Sequence, residues 1–193
     1  MKTSRLEAFS DGVIAILITI MVLELHAPDG EHLAALRPLV PKLLTYALSF
    51  VYLAIYWNNH HHMLHAAHSV NGVILWANLH LLFWLSLIPF TTAWLGESHG
   101  APWPTALYGV VLLLSGSSYT VLQRAIIRHH GPDSQLATAV GRDLKGKLSI
   151  VGYAAAIAVA FMASWISGMI YVAIALLWVI PDRRIEVVLG AGR

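Results

Sequence analysis

Arg5-Leu6-Glu7-Ala8-Phe9-Ser10-Asp11-Gly12-Val13-Ile14-Ala15-Ile16-Leu17-Ile18-Thr19-Ile20-Met21-Val22-Leu23-Glu24-Leu25 is the stretch that decides the fold. Its first turns carry Arg5, Glu7, Ser10 and Asp11; from Gly12 to Leu23 the one polar side chain is Thr19. A helix needs about 20 mostly apolar residues to cross the hydrocarbon of a bilayer, and residues 6–25 supply them. The same criterion marks 39–57, 73–95 and 105–127. The apolar run from 148 to 180 is too long for one comfortable span. Trp165-Ile166-Ser167-Gly168 is expected to turn it, giving 148–165 and 168–180, the second ended by Pro181-Asp182. One long tilted helix is the alternative. The expected fold is all-α: one polytopic membrane domain over 1–193 with six transmembrane helices.

Composition agrees. The chain has 193 residues, 58% hydrophobic and 11% charged, whereas soluble domains carry roughly 25% charged residues. So few charges cannot cover a water-facing surface, and so much hydrophobicity excludes disorder. Cysteine is absent, which removes disulfides, thiolate metal sites and cysteine nucleophiles. The net charge is +2 with histidines neutral, and no basic stripe offers a nucleic-acid surface. Glu7 and Asp11 interrupt the place where a cleavable signal wants its apolar core.

The cations choose an orientation. Lys2 and Arg5 precede the first span. Arg124, Arg128, Arg142, Lys145 and Lys147 flank the fourth-to-fifth connection, and Arg183, Arg184 and Arg193 follow the last span. With six spans, ten of the 12 Lys and Arg fall on one side, leaving Arg37 and Lys42 on the other. The positive-inside rule then puts both termini in the cytoplasm. Trp57, Trp94, Trp103 and Trp178 lie near span ends, where amphipathic rings prefer the interface.

Ser4 and Glu7 have capping-box spacing, so the first helix is expected to begin at Arg5. Asp11 lies about two turns inside it, a position where an ionisable residue is costly unless paired. It must face another helix or a water-filled space. The plain reading is a structural carboxylate bonded to a neighbouring helix. Beyond it Gly12, Ile16, Thr19 or Ile20, and Leu23 recur at helical spacing. Such a stripe is ordinarily core or lipid-facing surface; a hydrophobic constriction that gates by dewetting is the sharper alternative.

Arg5-Leu6-Glu7-Ala8-Phe9-Ser10-Asp11 reads R-x-x-x-F-S-D at the mouth of a first transmembrane helix. In this the chain resembles the bacterial branch of the transmembrane-protein-175 family of potassium channels. The likeness continues through Trp57 and His60, and through Asn78 and Leu87-Ile88-Pro89-Phe90-Thr91; beyond about residue 95 it is one of length and hydrophobicity alone. The resemblance implies a homotetrameric, potassium-preferring cation channel in the cell (inner) membrane, its pore lined by the first helix of each subunit. It implies a constriction at Ile16, a contribution to potassium preference from Thr19, and further pore-facing residues at Ile20 and Leu23. It also implies a polar network of Arg5, Phe9, Ser10, Asp11, His60 and Asn78 that holds the first helix in place. No cofactor is implied; the partners are the bilayer, further copies of the chain and monovalent cations. Glu24, about two turns beyond Ile16, is the candidate pore-mouth acid, with Asp29 and Glu31 nearby; an ordinary acid at a wet helix end is its plain alternative. No T-V-G-Y-G-like carbonyl filter occurs, so selectivity through rings of carbonyls is absent.

Asn58-Asn59-His60-His61-His62-Met63-Leu64-His65-Ala66-Ala67-His68 is the second anomaly. His61, His65 and His68 fall at i, i+4 and i+7, a spacing that suits a metal. No inward carboxylate accompanies them, so a metalloenzyme is the weakest reading and no catalytic or metal residue is assigned. A pH-sensitive cap or the wet end of two helices explains the cluster better. His80 is expected to bond a neighbouring helix, and Pro89 to kink the third span. A proton- or cation-coupled secondary transporter is the remaining alternative. It would want inverted repeats and ionisable groups near the midplane, where only Asp11 and His80 stand.

Overall fold

Prolines and short polar turns divide the chain into helices. The computed structural model describes residues 3–141 and 143–179. Helix α1 runs Ser4–Leu23, and a 3-10 segment over Leu33–Leu39 leads into α2, Val40–His65. Then come α3 (Gly72–Ser86), α4 (Ile88–Glu97), α5 (Pro102–His130), α6 (Gln135–Val140) and α7 (Leu144–Val179). Pro41, Pro89 and Pro102 each stand in the first turn of a helix, where a missing N–H costs no hydrogen bond. Gly131 ends α5 at φ 94°, a backbone conformation open to glycine at little cost. The described residues are all-α, and five helical stretches have the length and composition to cross a membrane: 4–23, 33–65, 72–97, 102–130 and 144–179.

The expected third span is broken rather than bent. Pro89 has no N–H and its ring crowds the carbonyl four residues earlier. The chain responds at Leu87, whose N–H bonds Trp84 O at 3.2 Å, and a new helix starts with Thr91 N–H on Leu87 O at 3.1 Å. The second and fourth helices run past the expected 39–57 and 105–127, into the polar residues at their ends. The connection from His129 to Lys147 contains a short helix, α6, started by Ser134, whose Oγ accepts from Ala137 N at 3.3 Å.

The long α7 folds back on itself. A straight helix would separate residues 149 and 178 by about 43 Å, yet Trp178 Nε1 donates to Ser149 Oγ at 2.8 Å. Tyr153 and Tyr171 have ring centroids 6.4 Å apart, and Ser167 Oγ donates to Ala156 O at 2.7 Å. These pairs centre on Ala163, the one non-helical residue of the run (φ −155°, ψ 86°). The turn therefore falls just before the Trp165–Gly168 turn expected from the sequence, and residue 180 lies outside the described residues.

The core sits among α2, α3, α5 and the two limbs of α7. Tyr52, Tyr108, Tyr153 and Tyr171 are buried against one another. Burial of a phenol demands a partner for its hydroxyl. Tyr52 donates to Tyr171 O at 2.6 Å, Tyr171 to Thr105 O at 3.0 Å, and Tyr108 shares a hydrogen bond with Ser49 at 2.9 Å. Gly109 makes room for Tyr171, whose ring and hydroxyl occupy the space a side chain there would fill.

Candidate functional site

α1 is built as two faces. Leu6, Ser10, Ile14, Leu17 and Met21, spaced by three or four residues, are buried against the rest of the chain. Arg5, Phe9, Gly12, Ile16, Thr19, Ile20 and Leu23 lie on the opposite side, exposed among the described residues. Ile16 is 57% exposed, Ile20 40% and Leu23 74%. The candidate constriction residues thus share one continuous apolar face. Thr19 on that face donates its hydroxyl to Ile16 O at 2.9 Å. Its single hydrogen is spent on its own helix, so the oxygen presents lone pairs outward.

Ser10 anchors the opposite face through a chain of bonds whose direction can be derived. Ser10 Oγ lies 2.8 Å from Leu6 O. A carbonyl only accepts, so Ser10 donates there and has no hydrogen left. Asn78 Nδ2, at 2.9 Å, must therefore donate to Ser10. That orients the amide with Oδ1 toward His60 Nε2, at 2.7 Å, so His60 carries its proton on Nε2 and donates. Ser10, His60 and Asn78 are all fully buried. One path of hydrogen bonds thus ties α1, α2 and α3 together. His60 Nδ1 is buried and has no hydrogen-bond partner among the described residues.

Asp11 is held on the flank of this path by Trp57, whose Nε1 donates to Oδ1 at 3.0 Å. One turn away Glu7 Oε1 lies 2.9 Å from His61 Nδ1. Trp57 and His61 stack with centroids 6.1 Å apart. Glu7 and Asp11 are i, i+4 on α1, and Trp57 and His61 are i, i+4 on the antiparallel α2, so the two helices meet as two rungs. The spacing of both pairs was present in the sequence, but neither Glu7–His61 nor Asp11–Trp57 was expected. The capping box is also corrected: α1 starts at Ser4, with Thr3 as its cap and no side-chain hydrogen bond there. The Glu7 carboxylate goes to His61, and Glu7 N–H bonds Thr3 O at 3.0 Å.

Other expected residues lie elsewhere. Arg5 and Phe9 are exposed, and Arg5 has no hydrogen bond or ion pair among the described residues. They stand outside the Ser10–Asn78–His60 path. Glu24 follows the last turn of α1, exposed, its carbonyl accepting from His26 Nδ1 at 3.1 Å. It borders a small hollow with Met21, Lys42 and Glu97, where Lys42 and Glu97 pair at 3.1 Å. His80 accepts from Trp84 Nε1 of its own helix at 3.0 Å, not from a neighbouring helix. The histidine run does not present one face. α2 ends at His65, so His61 stacks on His65 (6.1 Å) while His68 lies in the following turn against His130 (6.2 Å). Among the described residues no three His, Asp or Glu gather as metal ligands.

Comparison with known proteins places the same region. Residues 5–89 match the family model described as endosomal/lysosomal potassium channel TMEM175. A potassium channel from Chryseobacterium sp. (strain P1-3) is 52% identical over 186 residues, covering 96% of this chain and 97% of that one. A potassium channel from Streptomyces collinus is 28% identical, covering 84% of each. The crystal structure of a lysosomal potassium-selective channel TMEM175 homolog from Chamaesiphon minutus superposes with a TM-score of 0.78 at 27% identity, covering 93% of this chain and 97% of that chain.

Proposed function

The chain belongs to the TMEM175 family and is a potassium channel, an integral membrane protein and not an enzyme; from that premise we propose that its pore is made by the exposed face of α1. The observation that carries this reading is the uncovered stripe of Ile16, Thr19, Ile20 and Leu23 on a helix whose other face is locked into its own subunit. A single bundle of this size has no central water path. Four copies around a four-fold axis would bring four such stripes together, and closed symmetry repeats each residue as a ring. The ring of Ile16 is the constriction, closing by dewetting when its side chains approach. The ring of Thr19 supplies outward-facing hydroxyl oxygens to a partly dehydrated cation, which gives a potassium preference without a carbonyl filter. Ile20 and Leu23 line the next turns, and Glu24 raises cation concentration at the mouth.

Ser10, Asn78 and His60, flanked by Asp11 with Trp57, hold α1 against α2 and α3 so that the stripe faces the axis. Arg5 and Phe9 stand at the entrance on the same outward face. The limbs 144–162 and 164–179 cross separately, giving six spans in one domain with both termini on the cytoplasmic side of the inner membrane.

The test is potassium flux into proteoliposomes for wild type and Ile16→Asn. A polar ring wets the constriction, so the variant should conduct more and discriminate less. Wild-type flux left unchanged by Ile16→Asn would remove the constriction from Ile16.

A further inference from the structure

A groove of about 610 Å³ lies between the N-terminal end of α3 and the C-terminal end of α5. Its walls include Val73 and Ala77 of α3 and Val121, Arg124, Arg128 and His129 of α5. We propose that this groove binds an anionic phospholipid, the phosphate held by Arg124 and Arg128 and an acyl chain lying on the apolar floor.

Charge is the first argument. Arg124 and Arg128 stand one turn apart on one face of α5, both exposed. Among the described residues neither has a carboxylate or any other hydrogen-bonding partner, and no acidic residue lines the groove. Two guanidinium groups without a partner among the described residues, in one groove, make a planar, multidentate anion receptor. The positive end of the α3 dipole opens on the same rim. Asn71 caps that helix by accepting from Ile74 N at 3.0 Å.

Depth is the second argument. α5 reaches this end of the bundle at its C-terminus and α3 leaves from it. Val121 therefore lies one turn inward of Arg124, and Ala77 one turn inward of Val73. The groove is cationic at its rim and apolar below, in the order a headgroup and chain require. A free phosphate would leave Val73, Ala77 and Val121 uncovered. The rim also belongs to the end of the molecule bearing most of the Lys and Arg, where such grooves meet the anionic leaflet. His129 does not compete for the phosphate: its Nδ1 accepts from Asn71 Nδ2 at 3.2 Å and its Nε2 reaches Ser69 Oγ at 3.1 Å. It forms one wall of the groove and fixes the α2–α3 turn to the end of α5.

Native mass spectrometry of the purified channel tests the site, with dioleoylphosphatidylglycerol titrated against dioleoylphosphatidylcholine. A factor of roughly five per basic residue near the phosphate predicts a preference of about thirtyfold for the anionic lipid. Arg124→Gln with Arg128→Gln should abolish it, and Arg124→Lys with Arg128→Lys should retain part. Val73→Trp keeps both arginines but fills the groove, and should weaken retention of either lipid. Millimolar glycerol phosphate should not displace the bound lipid. Equal retention of the two lipids, a preference that survives the double Gln variant, or displacement by glycerol phosphate would overturn the proposal. A change of oligomeric mass in the Gln variant with its lipid preference intact would also overturn it, because the groove would then be a contact between copies.

Discussion

Asn78→Leu is the substitution that most directly challenges the account of how α1 is held. Leucine keeps the branched outline of asparagine and suits a buried helix position, but its methyl groups are bulkier than the amide oxygen and nitrogen, so the variant removes the hydrogen bonds and pushes His60 and Ser10 slightly apart. Two interhelical bonds are lost, His60 Nε2–H to Asn78 Oδ1 and Asn78 Nδ2–H to Ser10 Oγ. Interhelical hydrogen bonds in membrane bundles are worth about 0.6 kcal/mol on average and rarely more than about 1.7. Their loss alone accounts for about 1–3 kcal/mol. The His60 N–H is then buried with no acceptor, and stranding a buried donor adds about 1–3 kcal/mol. Asn78→Leu should therefore destabilise by about 2–6 kcal/mol.

Ser10→Ala should cost less, about 1–2 kcal/mol, because the Asn78–His60 bond survives and only one amide hydrogen is stranded. His60→Leu combined with Asn78→Leu should cost clearly less than the sum of the two single changes, since no unpaired polar group remains. The assay is reversible unfolding in mixed micelles, followed by far-UV circular dichroism. Equal losses for Ser10→Ala and Asn78→Leu, or strict additivity in the double variant, would refute the directed path from His60 through Asn78 to Ser10.

Gly109→Ala should destabilise by about 1–3 kcal/mol in the same assay. Its methyl would fall on the Tyr171 hydroxyl and within 2.9 Å of Ile157 Cγ1, and that hydroxyl cannot swing without releasing Thr105 O. Thr19→Val should leave stability within about 0.5 kcal/mol, because the site is exposed, while lowering the potassium-to-sodium preference read from reversal potentials in planar bilayers. An unchanged preference would take Thr19 out of the ion path. Trp57→Phe removes the hydrogen bond to Asp11 and part of the ring stacked on His61, and should cost about 1–2 kcal/mol; a loss as large as that of Asn78→Leu would make Asp11, not Ser10, the principal tie of α1.

Hydrophobic length made the helical architecture legible, because membrane crossing imposes a strong and local rule on sequence. The end of α7 shows where locality fails. Its apolar run signals that the chain must turn, yet the turn settles at Ala163, chosen by the pairing of Ser149 with Trp178, of Tyr153 with Tyr171 and of Ala156 with Ser167. No local residue announces such a position. Pro89 was legible as a disruption, and whether it bends or breaks its helix depends on the neighbouring helices. Ser10, Asp11, His60 and Asn78 were read from a motif, and the structure gives three of them a common hydrogen-bond path. The contacts Glu7–His61 and Asp11–Trp57 were missed although Glu7 with Asp11, and Trp57 with His61, have helical spacing. Pairing two spaced sets requires knowing that α1 and α2 run antiparallel in one register, which only the assembled bundle reveals.

The reversal at Ala163 has a bearing on biogenesis. A turn this tight has no loop, and the segment around it, Ala160-Phe161-Met162-Ala163-Ser164-Trp165, carries no charge. It therefore offers the insertion machinery no topogenic signal of its own. Lys145 and Lys147 stand in the first turn of the first limb, so on the proposed topology the hairpin would be oriented from its base. On the proposed six-span topology the two limbs would enter as a unit, with the apex following its flanks. On that topology a reporter spliced at Ala163 would part the paired limbs and disrupt the arrangement it was meant to map; the connection around α6 would take the same insertion with the hairpin intact.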